Sequence, residues 1–305
     1  MPTSINLPLI DRLAVIGVGL IGGSVASALK ERGLVGHVVG CARNMQTLDM
    51  AMERGLIDSS TTNVGEAVSR ADVVLLATPV GTMTSLLPQV GEALQTGAIL
   101  TDAGSTKRRV VDIARNALAD QFEHFVPGHP VAGSESSGPA AARPDLFVNH
   151  WTVLTPTAET NPASIQKITQ LWERIGSHIK IMEVDAHDRV LGMTSHLPHI
   201  VAYALVSQLA QQIDQDECLA LAAGGFFDIT RVAGSDPVMW RDICLDNKEI
   251  TVELINAYQT ILDRIKNSIT ESDGESLEGL FKAAKLLRNR LETIKTESNQ
   301  SHNGS

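Results

Sequence analysis

The stretch Leu13-Ala14-Val15-Ile16-Gly17-Val18-Gly19-Leu20-Ile21-Gly22-Gly23-Ser24 decides how the rest of the chain is read. Its first four residues form a continuous apolar run, as a strand buried on both faces does. The run ends in Gly-x-Gly-x-x-Gly and passes into a stretch of helical character, residues 24–31. In that context each glycine has its own reason. Gly17 makes the tight turn, Gly19 admits a pyrophosphate close to the backbone, and Gly22 lets helix and strand pack closely. The helix N-terminus at Leu20 and Ile21 offers unpaired N–H groups and a positive dipole end to an anion. A glycine-rich turn without a ligand shares this pattern, so the neighbouring elements must discriminate.

They continue the alternation. Apolar runs at residues 38–41, 72–77, 98–101, 124–127 and 151–155 read as further strands, with helical stretches at 82–94 and 107–119 between them. Residues 161–175 and 178–182 read as one more helix and strand of the same domain. Near-continuous apolar strands separated by helices predict a doubly wound parallel sheet of Rossmann type. From about Asp185 the β runs stop. Residues 189–209 are apolar at helical period, with Pro198 marking a kink or a break. Ile250, Leu254, Tyr258, Ile261 and Ile265 repeat at helix spacing, as do Leu277, Leu280, Phe281, Ala284, Leu287 and Leu291. The expected organisation is a dinucleotide-binding α/β domain over 1–184, an all-helical domain over 185–293 and a disordered polar tail over 294–305. The helical half carries more apolar surface than one small domain buries, which predicts a homodimer through it.

Composition narrows the function. The 305 residues suit two domains, and the net charge of −10 argues against a nucleic-acid partner. No run approaches the ~18 consecutive apolar residues of a membrane span. The start lacks the basic and apolar regions of a secretory leader. Cys41, Cys218 and Cys244 are odd in number and far apart, so neither a disulfide framework nor a metal site is expected, and a cytoplasmic location fits.

Cofactor choice is read at the end of the second strand. An acid about 20 residues beyond the fingerprint would bind a ribose 2′-hydroxyl. Cys41-Ala42-Arg43-Asn44 has none there, and Arg43 offers a cation to a 2′-phosphate. NADP is therefore expected, with NAD as the other possibility. Three polar groups fall at strand carboxyl ends, where open α/β sheets bind ligands. They are Thr78-Pro79, the segment from Asp102 to Lys107, and the segment from Gly128 to Glu135. Among these His129 is the candidate general base, since an imidazole near neutral pKa suits removal of a hydroxyl proton as hydride departs. Ser105 stands before a helical stretch and reads either as a partner of His129 or the substrate hydroxyl, or as the helix N-cap. Arg231, in apolar surroundings, needs a carboxylate, either a ligand's or that of Asp228. The two histidines of His196-Leu197-Pro198-His199 lack the accompanying acids or cysteines of a metal site.

Taken together, five segments resemble the prephenate/arogenate (cyclohexadienyl) dehydrogenase family. They are the glycine stretch, Gly128 to Glu135, Met193 to His199, Gly224 to Arg231, and Ser235 to Asp242. The likeness runs in order over residues 13–289, and the pairing of His-Pro-x-Ala-Gly-Ser-Glu with Ser-His-Leu-Pro-His is its specific part. The resemblance implies oxidative decarboxylation of prephenate or arogenate on the route to tyrosine, with hydride passing to NAD(P). It implies His129 as the catalytic histidine and Ser105 as the residue orienting the 4-hydroxyl. It places Arg231 on a substrate carboxylate, His196 on substrate, and Glu135 and Trp240 close by. An acid at the position of Ala42 is common in that family, so Ala42 keeps NADP favoured. Arogenate is placed slightly ahead, because Glu135 suits its ammonium.

Two other readings compete. A β-hydroxyacid dehydrogenase would use a lysine of the helical half, here Lys248, and would leave His129 without a role. A non-catalytic NADP-binding module would need the glycines and Arg43 but not His129, Ser105 and Arg231 together.

Overall fold

A computed structural model describes residues 7–134 and 136–302, the last eight by backbone only. Six parallel strands form one sheet in the order β3-β2-β1-β4-β5-β6. The strands are β1 (Ile10–Ile16), β2 (Val35–Cys41), β3 (Ser59–Thr61), β4 (Val73–Leu76), β5 (Ile99–Asp102) and β6 (Phe125–Val126). This is the order of a dinucleotide-binding sheet, with its crevice between β1 and β4, where the strand order reverses. Helices α1 (Leu20–Glu31), α2 (Met45–Glu53), α3 (Val64–Val68), α4 (Met83–Ala93) and α5 (Arg108–Leu118) make the crossovers. The sheet parts two apolar clusters. One contains Leu13, Val15, Leu29, Phe147 and Trp172; the other contains Ile16, Leu76, Met83, Leu100 and Phe125.

The glycine assignments have direct steric reasons. Gly17 has φ +98°, and a Cβ there would lie 2.6 Å from the Ala77 carbonyl oxygen. A Cβ on Gly22 would lie 2.2 Å from the Gly17 carbonyl oxygen and 2.7 Å from Val15 Cγ1. A Cβ on Gly19 would meet nothing within 4 Å, so the protein itself does not require that glycine.

Two strand expectations change. β3, only three residues of half-buried Ser and Thr, carries no apolar run and was not foreseen. The runs at 151–155 and 178–182 leave the main sheet. As β8 (Trp151–Leu154) and β9 (His178–Ile181) they join β7 (Gly128–Pro130) in a separate sheet ordered β7-β8-β9, with β7 antiparallel to β8. The run at 124–127 holds only β6, and β7, in the other sheet, begins directly after it. Pro127 lies between β6 and β7; it has no N–H to extend a ladder, so the chain turns there. Helix α6 (Pro162–Arg174) packs between β8 and β9 in sequence, capped by the Asn161 side chain.

Beyond β9 every element is helical. α7 (Val184–Leu191) runs through a π turn at Gly192–His196 into α8 (Leu197–Leu209). The Pro198 break is therefore a widened turn just before the proline, which sits where its missing N–H costs nothing. The combined run Val184–Leu209 is long and apolar enough to cross a membrane by length and composition, at mean hydropathy 1.2. Within it His187, Asp188 and His196 are buried, while Val190, Met193, Leu205 and Val206 are exposed. There follow α9 (Gln215–Ala220), α10 (Gly224–Thr230), α11 (Pro237–Asp246), α12 (Lys248–Thr270) and α13 (Gly274–His302). The chain divides into two compact units at Thr251/Val252. In the second unit Ile261, Leu262, Ile269, Phe281, Leu286, Leu287 and Leu291 are exposed. The stretch from residue 294, expected as a disordered tail, continues α13 as far as His302. Its Glu, Lys and Gln residues are good helix formers with no Gly or Pro before residue 303, so polarity alone does not end the helix.

The glycine geometry predicts a contrast. Gly22→Ala should lower unfolding stability by about 1–3 kcal/mol through overpacking, whereas Gly19→Ala should change it little. Urea denaturation of both variants checks this, and equal losses would refute the steric account.

Candidate active site

The fingerprint edge lies at the carboxyl ends of β1, β2 and β4. Helix α1 begins at Leu20 with Gly19 as N-cap, and no side chain caps it. The first N–H groups at Leu20, Ile21 and Gly22 thus have no intrahelical acceptor. With the open space over Gly19, this fits a pyrophosphate and supports a dinucleotide. Thr78 sits over the turn, its methyl 2.7 Å from where a Gly17 Cβ would stand, and its hydroxyl accepts a hydrogen bond from Thr82 at 2.9 Å. Pro79 starts the 3-10 turn Val80–Thr82. Arg43 is exposed at the end of β2, immediately before Asn44, whose side chain caps α2 by accepting from the Thr47 amide at 2.9 Å.

His129 stands on β7 beside the carboxyl end of β5. What holds it there is Asp102, the last residue of β5. One oxygen of Asp102 accepts from the Gly128 amide at 3.1 Å; the other accepts from the Gly104 amide at 2.8 Å and pairs with the Lys107 ammonium. Both ion-pair side chains are 0% exposed, so this pair depends on being fully hydrogen-bonded. The His129 ring is half-buried, with Nδ1 2.9 Å from His187 Nε2. His187 Nδ1 in turn lies 2.8 Å from Asp188 Oδ1. Asp188 also accepts from the Lys107 amide at 2.8 Å and the Arg108 amide at 2.9 Å, so it caps α5 from a distant helix.

This chain fixes the tautomers. Burial alone would raise the Asp188 carboxyl, but the hydrogen bonds from His187, Arg108 and Lys107 outweigh it and hold it below the usual carboxylate range. An ionised Asp188 takes the proton-bearing nitrogen of His187, leaving His187 Nε2 as an acceptor. His129 must then donate from Nδ1, and its Nε2 is the unprotonated nitrogen. Burial, then the neighbouring His187 and Lys107, keep the His129 pKa well below its ordinary value. The arrangement is a neutral base whose free lone pair is set by a carboxylate two residues away along the hydrogen-bond chain.

A second group adjoins it from the helical segment. His196 is 1% exposed, hydrogen-bonds the Ser105 backbone, and lies 3.3 Å from the Asn247 amide nitrogen. Asn247 also donates to the Asp188 carbonyl at 2.9 Å, which joins the two groups. Trp240 stacks on His199 at 3.6 Å between ring centres, and meets His196 edge-on at 6.1 Å. Arg231 lies close enough to His199 to help depress its pKa, after burial as the first cause. The structure therefore brings together His129, Ser105, His196, Trp240 and Arg231, while Thr78, Pro79 and the glycines line the neighbouring crevice. Glu135 lies outside the described residues.

One expectation is corrected and several residues are new. Ser105 is not the N-cap of α5; the cap position is Lys107, and Asp188 supplies the acceptor. Asp102, Lys107, His187, Asp188, His199 and Asn247 were given no role in the sequence reading. For His187 and Asp188 the only available signal was a pair of polar residues facing the apolar side of an amphipathic helix. Lys248, the lysine of the hydroxyacid dehydrogenase reading, is exposed at the start of α12.

Comparison with known proteins agrees with this geometry. A family model described as prephenate dehydrogenase, nucleotide-binding domain, matches residues 25–181, and one described as prephenate dehydrogenase, dimerization domain, matches residues 183–283. A prephenate dehydrogenase of Bacillus subtilis is 36% identical over 92% of this chain and 76% of its own. The cyclohexadienyl dehydrogenase of Zymomonas mobilis is 35% identical over 92% of this chain and 96% of its own. The crystal structure of the A. aeolicus prephenate dehydrogenase, in complex with hydroxyphenyl propionate and NAD+, superposes with TM-score 0.86. It is 34% identical and covers 94% of this chain and 99% of its own. The chain belongs to the prephenate dehydrogenase family. It is thus an oxidoreductase of the prephenate/cyclohexadienyl dehydrogenase class.

In this family member the buried histidines make stability depend on pH. Burial is the first cause of the lowered pKa of His129, His187, His196 and His199, and His196 is brought to about 4. Below the ordinary histidine value of 6.5 the unfolded chain takes up protons that the folded chain refuses. Stability is then full above that value and falls as pH drops toward about 4. Thermal unfolding from pH 7.5 to 4.5 should show a falling midpoint, with a shallower slope in His196→Gln; a flat profile would contradict the burial.

Proposed function

We propose that this enzyme performs the oxidative decarboxylation of arogenate, with prephenate also accepted, and that NADP is its preferred hydride acceptor. The observation that carries the reaction type is the His129–His187–Asp188 chain, because it presents an unprotonated Nε2 beside the crevice of the dinucleotide fold. A bound nicotinamide supplies hydride acceptance. His129 Nε2 takes the proton of the ring 4-hydroxyl as hydride leaves C4. The bond to the ring carboxylate breaks, CO2 departs, and its electron pair completes the aromatic ring, leaving a phenolate that takes its proton back from His129. The positive charge gained on His129 is shared toward His187 and met by Asp188, which needs no proton of its own. Ser105 orients the hydroxyl. Arg231, with its planar fork of donors, holds a substrate carboxylate, and His196, Trp240 and Glu135 complete the substrate pocket.

Arg43 supports NADP, since it stands at the end of β2 with Ala42 rather than an acid before it. Glu135 supports arogenate by offering a carboxylate to the side-chain ammonium. The exposed apolar side chains of α12 and α13, with the dimerization-domain match, support a homodimer formed through the helical half.

Initial rates by nicotinamide absorbance, with both substrates against both nucleotides, test the reading directly. Arogenate with NADP should be fastest, and equal or faster turnover with prephenate and NAD would refute the specificity. Arg43→Ala should raise the KM for NADP about tenfold to a hundredfold, the worth of a charge-assisted contact, and leave that for NAD unchanged. His129→Asn should lower kcat by about 10²–10⁴ with nucleotide affinity preserved. In Asp188→Asn, the amide no longer dictates which histidine nitrogen carries the proton. Its kcat/KM should fall about tenfold or more while nucleotide affinity stays the same; an unaffected kcat/KM would remove Asp188 from the mechanism.

A further inference from the structure

The loop that leaves His129 is held at its far end by a residue to which nothing above gives a part. Arg54 is the C-cap residue of α2, exposed and far in sequence from the chemistry. Its guanidinium donates to the Pro139 carbonyl at 2.9 Å, the Ala142 carbonyl at 3.1 Å, and the Ala140 carbonyl between them. The Pro139 and Ala140 carbonyls belong to the 3-10 turn Pro139–Ala141, and Ala142 is its C-cap residue. A planar fork of donors can gather several acceptors at once; a lysine ammonium on a flexible stem does so less well. A second anchor lies beside the first. The Arg143 amide donates to the buried Ser24 hydroxyl of α1 at 2.9 Å, and Ala142 packs so closely on Gly23 that a Cβ there would lie 2.9 Å from its own.

At its other end the loop is fixed by β7, where His129 pairs with Val153, and by the Val131 amide donating to the Trp151 carbonyl at 2.7 Å. Between the anchors, Gly133, Ser134, Ser136 and Ser137 are exposed. Ala132 packs against the apolar cluster that also takes in Leu20, Ile21, Ala77 and Ala103. The loop therefore crosses the carboxyl edge of the sheet, from the catalytic histidine to the helices that border the nucleotide crevice. Helix α2 runs between Arg43, which precedes its N-cap Asn44, and Arg54, its C-cap, so one helix links the proposed 2′-phosphate reader to the loop clamp.

We propose that Arg54 is a positioning residue: by clamping the turn at 139–142 it holds residues 131–134 and 136–138 in the conformation that completes the substrate side of the cleft. The proposal rests on the reading of His129 as the base and of the glycine edge as the nucleotide site. Without the clamp the loop samples more conformations, and apparent substrate affinity falls by the fraction of time it is out of place. Because Arg54 is exposed, and the turn keeps the packing of Ala142 on Gly23 and the Arg143–Ser24 bond without it, its loss should not unfold the protein.

The test is made on the full chain with Arg54→Ala and Arg54→Lys. Hydrogen exchange of the amides in 131–142 should quicken about tenfold in Arg54→Ala, with KM for the cyclohexadienol substrate rising by a similar factor. Dissociation constants for NADP and the thermal midpoint should stay close to the parent values, and Arg54→Lys should fall between. Parent-like exchange in 131–142 would overturn the proposal. So would a uniform loss of midpoint, nucleotide affinity and turnover, which is the mark of a merely structural residue. Exchange needs no turnover: a parent protein inactive on both dienols would refute the functional reading, and the exchange comparison would still decide on the clamp.

Discussion

Asp188 is the constraint from which the site follows. Its carboxylate is buried, and burying a charge is tolerable only where hydrogen bonds replace water. Two of those bonds come from the amides at the start of α5, and one comes from His187. One group thereby caps a crossover helix of the sheet, joins it to the first helix of the helical half, and fixes which nitrogens of two histidines carry protons. Removing the charge would loosen the seam between α5 and α7 and scramble the protonation pattern together.

The second buried charge serves a different end. Asp102 and Lys107 pair in the interior, with the Gly104 and Gly128 amides taking up the remaining acceptor capacity of the carboxylate. Such pairs are weak arguments for stability, since desolvation cancels most of the attraction. What this one does is geometric. It ties the end of β5 to the first residue of β7, and so fixes the strand that carries His129 against the sheet although it belongs to another. The Pro127 break, which moves the chain from one sheet to the next, is useful for the same reason: it turns His129 to the edge where the crevice lies.

Electrostatics and packing compete across the cluster: burial outweighs Asp188 and the Ser105 and Ser195 backbones, which favour protonated His187, His196 and His199. Burial depresses all four histidines, and their neighbours are arranged so that the neutral forms are hydrogen-bonded rather than orphaned. A site kept neutral in this way offers a base at physiological pH and places its compensating carboxylate one imidazole away from the reacting group. Trp240, stacked on His199 and edge-on to His196, closes the apolar side of the same cluster.

The sequence by itself determined the dinucleotide half, the helical nature of the remainder and the family. Those features are local or periodic: a Gly-x-Gly-x-x-Gly spacing in which Gly22 closes on the Gly17 carbonyl five residues earlier, apolar runs with a fixed repeat, and short contiguous motifs. It misplaced the strands after residue 150, because an apolar run does not say which sheet it joins, and it overlooked β3, whose three polar residues give no pattern. Only the tertiary structure decided the rest. His187 and Asp188 show only as two polar residues in an amphipathic helix, and a cap stays among the readings of Ser105, until α7 packs on α5 and Asp188 takes the capping role. Contacts spanning 58 residues, as between His129 and His187, or 85, as between Arg54 and Pro139, leave no trace in local composition. They exist because burial forces distant polar groups to satisfy one another.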